Sequence, residues 1–262
     1  NTVPGAQSVN EDTLLAISGI SVNDVDGNLS STQLSVTAGT LSVSLTGGAI
    51  VSTGANNSST LTLSGTQAQI NAALATLSYQ GNLNYNGSDT LTVVSRDSAG
   101  SVLSDTDSVA ITVNPVNDAP SGTDIFITID EDSSHTFTAG DFGFSDPVEG
   151  HGFFEVIVTT LPGNGQLLLN GTAVTAGQAI PVSYIPNLVW IPAADTYGSP
   201  LTSFTFQVVD DGPFGAPNQD TDQTANTITF NVMPVNDAPV NNVPGTQTVN
   251  EDTVLSISGI SV

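Results

Sequence analysis

Apolar and polar residues alternate with a period of two over much of the chain. Leu41/Val43/Leu45, Leu61/Leu63, Leu91/Val93 and Val109/Ile111/Val113 each stand with polar residues between them. That period predicts half-buried β-strands, with one face in a core and the other in water. The second half repeats the plan in different residues: Ile125/Ile127/Ile129, Phe204/Phe206/Val208 and Ile228/Phe230/Val232. Thr13–Val22 is rich in apolar and β-branched residues and runs into Asn23-Asp-Val-Asp-Gly-Asn28, an acidic turn or loop. Pro162-Gly-Asn-Gly165 and Asn170-Gly171 are hairpin signals on either side of Gln166–Leu169. One stretch breaks the period. Thr66–Leu77 sets Ile70, Leu74 and Leu77 on one helical face behind an N-cap threonine, which predicts a short helix. Trp190, Phe137 and the phenylalanines of the alternating runs are assigned to the core. Many short strands with turns between them and almost no helix indicate an all-β fold of sandwich type.

The pattern is also periodic on a longer scale. Val113-Asn-Pro-Val-Asn-Asp-Ala-Pro120 returns as Val232-Met-Pro-Val-Asn-Asp-Ala-Pro239, and an acidic pair follows each, Glu131-Asp132 and Glu251-Asp252. Asn1–Val22, which contains Glu11-Asp12, matches Asn241–Val262 at 17 of 22 positions. The chain therefore reads as a window on a tandem array. Two complete repeats are expected, at 1–117 and 118–236, with the opening of a third at 237–262 that has too few strands to fold alone.

Composition changes the picture in one respect. Of the 262 residues, 25 are Asp or Glu, and Arg96 is the single basic residue, giving a net charge of −24. Binding to nucleic acid or to an anionic lipid surface needs basic side chains, so neither is expected as a partner. Without Lys there is no Schiff-base chemistry, no P-loop and no Lys–Asn cross-link; without Cys there is no disulfide, thiolate metal site or Cys nucleophile. No run of 18 apolar residues is present, so membrane insertion is not expected. The acids are either a solvated coat or a set of cation ligands, and their positions decide between the two.

Those positions carry a resemblance. The order Glu11, Asp24-Val-Asp26-Gly-Asn28, Arg96-Asp97-Ser-Ala-Gly100 and Val116-Asn-Asp-Ala-Pro120 resembles a bacterial cadherin-like repeat of large calcium-dependent surface adhesins. The second repeat is also similar to chondroitin-sulfate-proteoglycan-type repeats, through Leu161-Pro-Gly-Asn-Gly-Gln-Leu167 and Phe204-Thr-Phe-Gln-Val-Val-Asp-Asp-Gly212. The resemblance implies tandem Greek-key sandwiches arranged as a rod, with Ca²⁺ bound where consecutive repeats meet. Carried over residue by residue, one junction would draw on Glu11, Asn117, Asp118, Asp146 and Asp210, and the next on Glu131, Asn236 and Asp237. Asp24, Asp26 and Asp97 would form the upper half of a junction with a preceding repeat. The departures reduce the ligand set. Pro115 and Pro234 replace the first linker Asp, the last linker Asn is missing, and Asn82 and Asn84 stand where an acidic segment is expected, although Asp195 stands there in the second repeat. One or two ions per junction are implied instead of three.

The physics agrees with such an assignment. A hard cation takes six to eight oxygen ligands, which this chain supplies in quantity. Other metal readings fail: in Asp24-Val-Asp26-Gly-Asn28 the glycine comes too early for an EF-hand, and Ser35 stands where the bidentate glutamate belongs. His135 and His151 are too few and too far apart for zinc. Paired carboxylates also suit a glycoside hydrolase, but the acids gather at repeat ends, and Ser133-Ser134-His135 has no nucleophile-elbow context. The expectation is a non-enzymatic extender of a long extracellular or bacterial cell-surface adhesin, its partners being the neighbouring repeats. The alternatives are an adhesive module for a glycan or cell surface, and a filament subunit that contacts copies of itself through strand addition.

Overall fold

The computed structural model describes residues 1–98 and 103–262. The chain is all-β, and among the described residues α-helix is confined to Gln67–Leu74. It divides into two compact units: Asn1–Asp118 with Val148–Gly150 and Gly212–Asp220, and Ala119–Pro147 with His151–Asp211 and Thr221–Val262.

In the first unit a six-stranded sheet runs in the order Gln7–Asn10, Ser104–Asn114, Gly87–Asp97, Leu29–Ser35, Thr60–Ser64, Ile50–Gly54. A three-stranded sheet of Leu15–Ala16, Ser78–Gly81 and Gly39–Ser42 supplies the other layer. The period-two residues face inward as expected: Leu34, Leu61, Leu63, Leu91, Val93, Val109 and Ile111 are all buried, together with Leu41 and Tyr79 from the smaller sheet. Burying one such side chain contributes roughly 1.5–3 kcal/mol, so this shared layer is what fixes the strand register. Gly39 lies against Tyr79; a Cβ there would come within 2.5 Å of the Tyr79 ring and of the Gln80 carbonyl. A buried polar knot closes the same layer. Asp89 accepts from the Thr37 and Ala38 amides, the Thr37 hydroxyl and the Tyr79 hydroxyl.

The helix begins where its sequence says it should. Thr66 and Gln69 form a reciprocal capping box, and Ile70, Ala73 and Leu74 are its buried face. It ends at Leu74, three residues before the expected Leu77, because Ala75–Leu77 tighten into a turn with Leu77 N–H donating to the Leu74 carbonyl. Leu77 is buried all the same. Thr13–Val22 is strand only at Leu15–Ala16; Gly19 adopts φ 83°, which interrupts any ladder, while Ile17, Ile20 and Val22 still reach the core. The Leu41/Val43/Leu45 alternation also stops early. Val43 is held by the Asn56 side chain, and Leu45 is 37% exposed.

The second unit has a five-stranded sheet in the order Ile125–Asp130, Asn226–Met233, Gly198–Asp210, Phe153–Val158, Gln178–Pro181. Its four-stranded partner is His135–Thr136, Leu188–Ile191, Gln166–Leu169 and Thr172–Ala173. The core is aromatic: Trp190 stacks on Phe230 with ring centroids 3.7 Å apart, Phe137 and Phe204 flank Phe230, and Phe142 and Phe206 pack against these two. Asn170 and Gly171, at φ 51° and 78°, make the two-residue hairpin turn that Asn-Gly predicts.

One topological feature positions the acidic ends. Each unit carries a parallel edge strand, Gln7–Asn10 beside Ser104–Asn114 in the first and Ile125–Asp130 beside Asn226–Met233 in the second. A parallel pair brings the end of its first strand alongside the end of its last. Glu11 and Glu131, one residue past the edge strands, therefore sit where the chain leaves each sheet.

Candidate metal centres

At the exit of the first unit, Glu11 is buried and its backbone N–H donates to the Asn114 carbonyl. Its Oε1 accepts from the Val116 amide at 2.6 Å, and its Oε2 accepts from the Asn86 side-chain amide at 3.5 Å. Asp12, at φ 56°, accepts from the Asn84 backbone N–H, and the Asn84 side-chain amide, turned so that its nitrogen faces the carboxylates, reaches Asp12 Oδ2 at 3.1 Å and Asp118 Oδ2 at 3.2 Å. Asn117 is buried, with its N–H donating to Asn218 Oδ1 and its side-chain amide to the Gln219 carbonyl. The Asp118 amide donates to Glu149 Oε2 at 3.3 Å. Glu11, Asn117 and Asp118 are thus held in one unit, from positions more than a hundred residues apart for the glutamate and the linker.

The exit of the second unit is built on the same frame. Glu131 N–H donates to the Met233 carbonyl, and Glu131 Oε1 accepts from the Val235 amide at 2.7 Å. Its Oε2 differs: that atom is buried and has no hydrogen-bond partner among the described residues. Glu131 lines an open pocket of about 470 Å³ with Asp195, Tyr197, Val235, Asn236 and Asp237. A buried carboxylate oxygen without a donor is costly, since burial disfavours the charge and nothing offsets it. The side chains that line the pocket with it offer oxygens: the carboxylates of Asp195 and Asp237, the Asn236 amide and the Tyr197 hydroxyl. That set fits a hard divalent cation.

The remaining sequence candidates lie at the opposite, entry side of each unit. In the first, Asp24 and Asp26 form a tight turn in which the Asp26 amide donates to Asp24 Oδ1 at 3.0 Å. Asp97 Oδ1 accepts from the Leu103 amide, and all three acids line a cavity of about 300 Å³ that also contains Arg96. Gly100 of the same motif lies outside the described residues. In the second unit Asp210 is buried at the end of its strand, while Asp146 Oδ2 accepts from the His151 amide at 2.7 Å. His151 Nδ1 also lies 3.7 Å from Asp146 Oδ2. His151, dismissed from sequence because no second histidine is near, is therefore near the Asp146 carboxylate; only the loop's fold reveals it. His135 is structural, edge-on to Phe137 and 3.2 Å from Asp141, which caps the 3₁₀ turn Ala139–Phe142.

Sequence reasoning missed Asp12, Asn86 and Tyr197. The one available signal was the spacing to a glycine: Asn84 precedes Gly87, and Asp195 precedes Gly198, by three residues, each glycine opening a long strand. Asn84 and Asp195 share a left-handed backbone, φ 55° and 56°.

Comparison with known proteins places these features in context. The family described as "Protein GAMETE EXPRESSED 2 domain" matches residues 16–105, well under half of the chain. No curated protein matches the sequence. Among solved structures, the chain is similar to protocadherin gamma B2 extracellular cadherin domains 1-5, with a TM-score of 0.44 at 14% identity over 90% of this chain and 40% of that one. It is similar also to human CDH23 EC21-23, with a TM-score of 0.42 at 15% identity over 99% of this chain and 85% of that one. Human mucin-like protocadherin EC1-2 gives 0.37 at 16% identity, over 90% and 98% of the two chains. No helix among the described residues is long and apolar enough to cross a membrane.

Proposed function

We propose that this chain is a non-enzymatic, calcium-binding stretch of tandem extracellular repeats, of the kind that extends a bacterial surface adhesin. The repeats are 1–117 and 118–236, with 237–262 opening a third. The observation that carries the reading is the buried Glu131 Oε2, which has no donor among the described residues and lines a pocket with Asp195, Asn236 and Asp237. When bound, Ca²⁺ would supply concentrated positive charge to oxygens that otherwise repel one another. Two carboxylates about 4 Å apart repel by roughly 1 kcal/mol in water and by roughly 4 at an effective dielectric of 20. Glu131, Asp195, Asn236 and Asp237 would hold one ion; Glu11, Asn117 and Asp118 would contribute to another, and Asp146 and Asp210 are candidate ligands carried by the second unit. Asp24, Asp26 and Asp97 would serve a preceding repeat. The residues' own part is to anchor the linker: each glutamate ties the main chain two residues past the last strand residue, Asn114 or Met233, back onto its own sheet. Neutralising those ends converts a flexible string into a rod.

Small-angle scattering tests this. With Ca²⁺ the chain is expected to show one sharply defined maximum dimension, and with EGTA a broader distribution of distances. Identical profiles in the two buffers would overturn the rod.

A further inference from the structure

The two exits share a frame but not their chemistry. Positions 84 and 86 of the first correspond to 195 and 197 of the second, counted back from Gly87 and Gly198 and marked by the paired left-handed φ values of 55° and 56°. In the first unit both positions are amides, and both are used. Asn86 donates to Glu11 Oε2, and Asn84, with its amide nitrogen turned towards the carboxylates, donates to Asp12 and Asp118 together. In the second unit the same positions are Asp195 and Tyr197, which line the pocket with Glu131, and Glu131 Oε2 has no donor among the described residues. An amide N–H placed between carboxylates does part of what a cation does there: it offers positive charge to lone pairs that burial has removed from water.

We infer that Asn84 and Asn86 act as built-in substitutes for a cation at the Glu11–Asp12–Asp118 exit, whereas the Glu131–Asp195–Asp237 exit is ordered only by a bound divalent ion. This rests on the calcium reading above and adds to it a difference between the ends: on withdrawal of the ion, the first linker root stays docked and the second lets go. The array would then soften selectively at exits carrying an acid, and not an amide, in the left-handed position.

Amide hydrogen exchange on the full chain resolves the two ends, because each has its own reporter, the Val116 and Val235 N–H groups bonded to Glu11 and Glu131. In the intact chain, Ca²⁺ at about 100 times its dissociation constant is expected to slow Val235 exchange by on the order of 100-fold relative to EGTA. Val116 is expected to be protected in both buffers. Asn84→Asp should make Val116 protection depend on Ca²⁺, and Asp195→Asn should reduce the dependence at Val235. These two substitutions exchange the chemistry without changing side-chain size, so they also separate the effect from any difference in the chain beyond each linker. Equal Ca²⁺ dependence at both reporters, or variants that leave both unchanged, would overturn the inference while leaving the calcium reading intact. Absence of any Ca²⁺ binding by titration calorimetry would instead remove the calcium reading, and this inference with it.

Discussion

Asp89→Ala is expected to lower the unfolding temperature of the first unit by more than about 10 °C, leaving the second unit's transition in place. Asp89 is only 3% exposed, yet it is not a stray charge in a core. Its two oxygens gather the amides of Thr37 and Ala38, the Thr37 hydroxyl and the Tyr79 hydroxyl. These bonds tie the start of Gly87–Asp97 to the chain just after Leu29–Ser35 and, through Tyr79, to the opposite sheet. Alanine would orphan several buried donors at about 1–3 kcal/mol each, against a total domain stability of about 5–15 kcal/mol. Asp89→Asn, which keeps one acceptor oxygen, should cost visibly less. Calorimetry with both transitions resolved measures each outcome.

The same knot carries a pH signature. Burial by itself raises the Asp89 pKa, but the hydrogen bonds from Thr37, Ala38 and Thr90 outweigh it and hold the carboxyl below its ordinary range. A depressed folded value means the stabilisation is full above the unfolded carboxylate pKa of about 4 and is lost as pH falls through the folded value. Tyr79 moves the other way: burial first, then the charge and hydrogen bond of Asp89, push its hydroxyl up. Its contribution is full below the unfolded tyrosine pKa of about 10 and is lost as pH rises towards the folded value. The Asp89→Ala variant should therefore lose much of the first unit's acid sensitivity.

Trp190→Ala is expected to destabilise the second unit by about 3–5 kcal/mol. The indole is fully buried, stacks on Phe230 and donates from Nε1 to the Asn164 carbonyl at 3.2 Å. Its removal opens a cavity between the sheets, because Trp190 pairs with His135 and Leu167 within the four-stranded sheet and stacks on Phe230 of the five-stranded one. Trp190→Phe should recover part of the loss, since a smaller ring keeps the stack and loses the Asn164 bond. Far-ultraviolet dichroism follows both variants, and the first unit's transition serves as the internal control.

Trp190 and Asp89 mark the limits of what the sequence discloses. Trp190 could be placed in the core from its type and its neighbours, because a large apolar ring among Leu188, Val189 and Ile191 has few other destinations. Leu91, Val93, Val109 and Ile111 were equally readable, since a period of two survives any detail of pairing. The helix was readable because Thr66 and Gln69 announce its start, and its end was not, because neither Ala75 nor Thr76 is a glycine or proline stop signal and only the turn to Leu77 ends it. Asp89 could not be read. It sits at an inward position where its partners Thr37 and Ala38 come from about fifty residues away, so its role exists only after the strands pair. Glu11 and Glu131 could be singled out by the repeat, but not the difference between them. That depends on Asn86 reaching Glu11 and Tyr197 failing to supply Glu131, and both depend on a left-handed residue two positions earlier.

The measurement that bears most directly on the calcium reading is calorimetric unfolding in about 5 mM Ca²⁺ against EGTA at matched ionic strength, with Mg²⁺ as control. A rise of several degrees with Ca²⁺ that Mg²⁺ does not reproduce, and that Glu131→Gln largely removes from the second unit, is the predicted result. Superimposable transitions in all three buffers would contradict it, and would make the 25 acids a solvated coat and not a set of ligands.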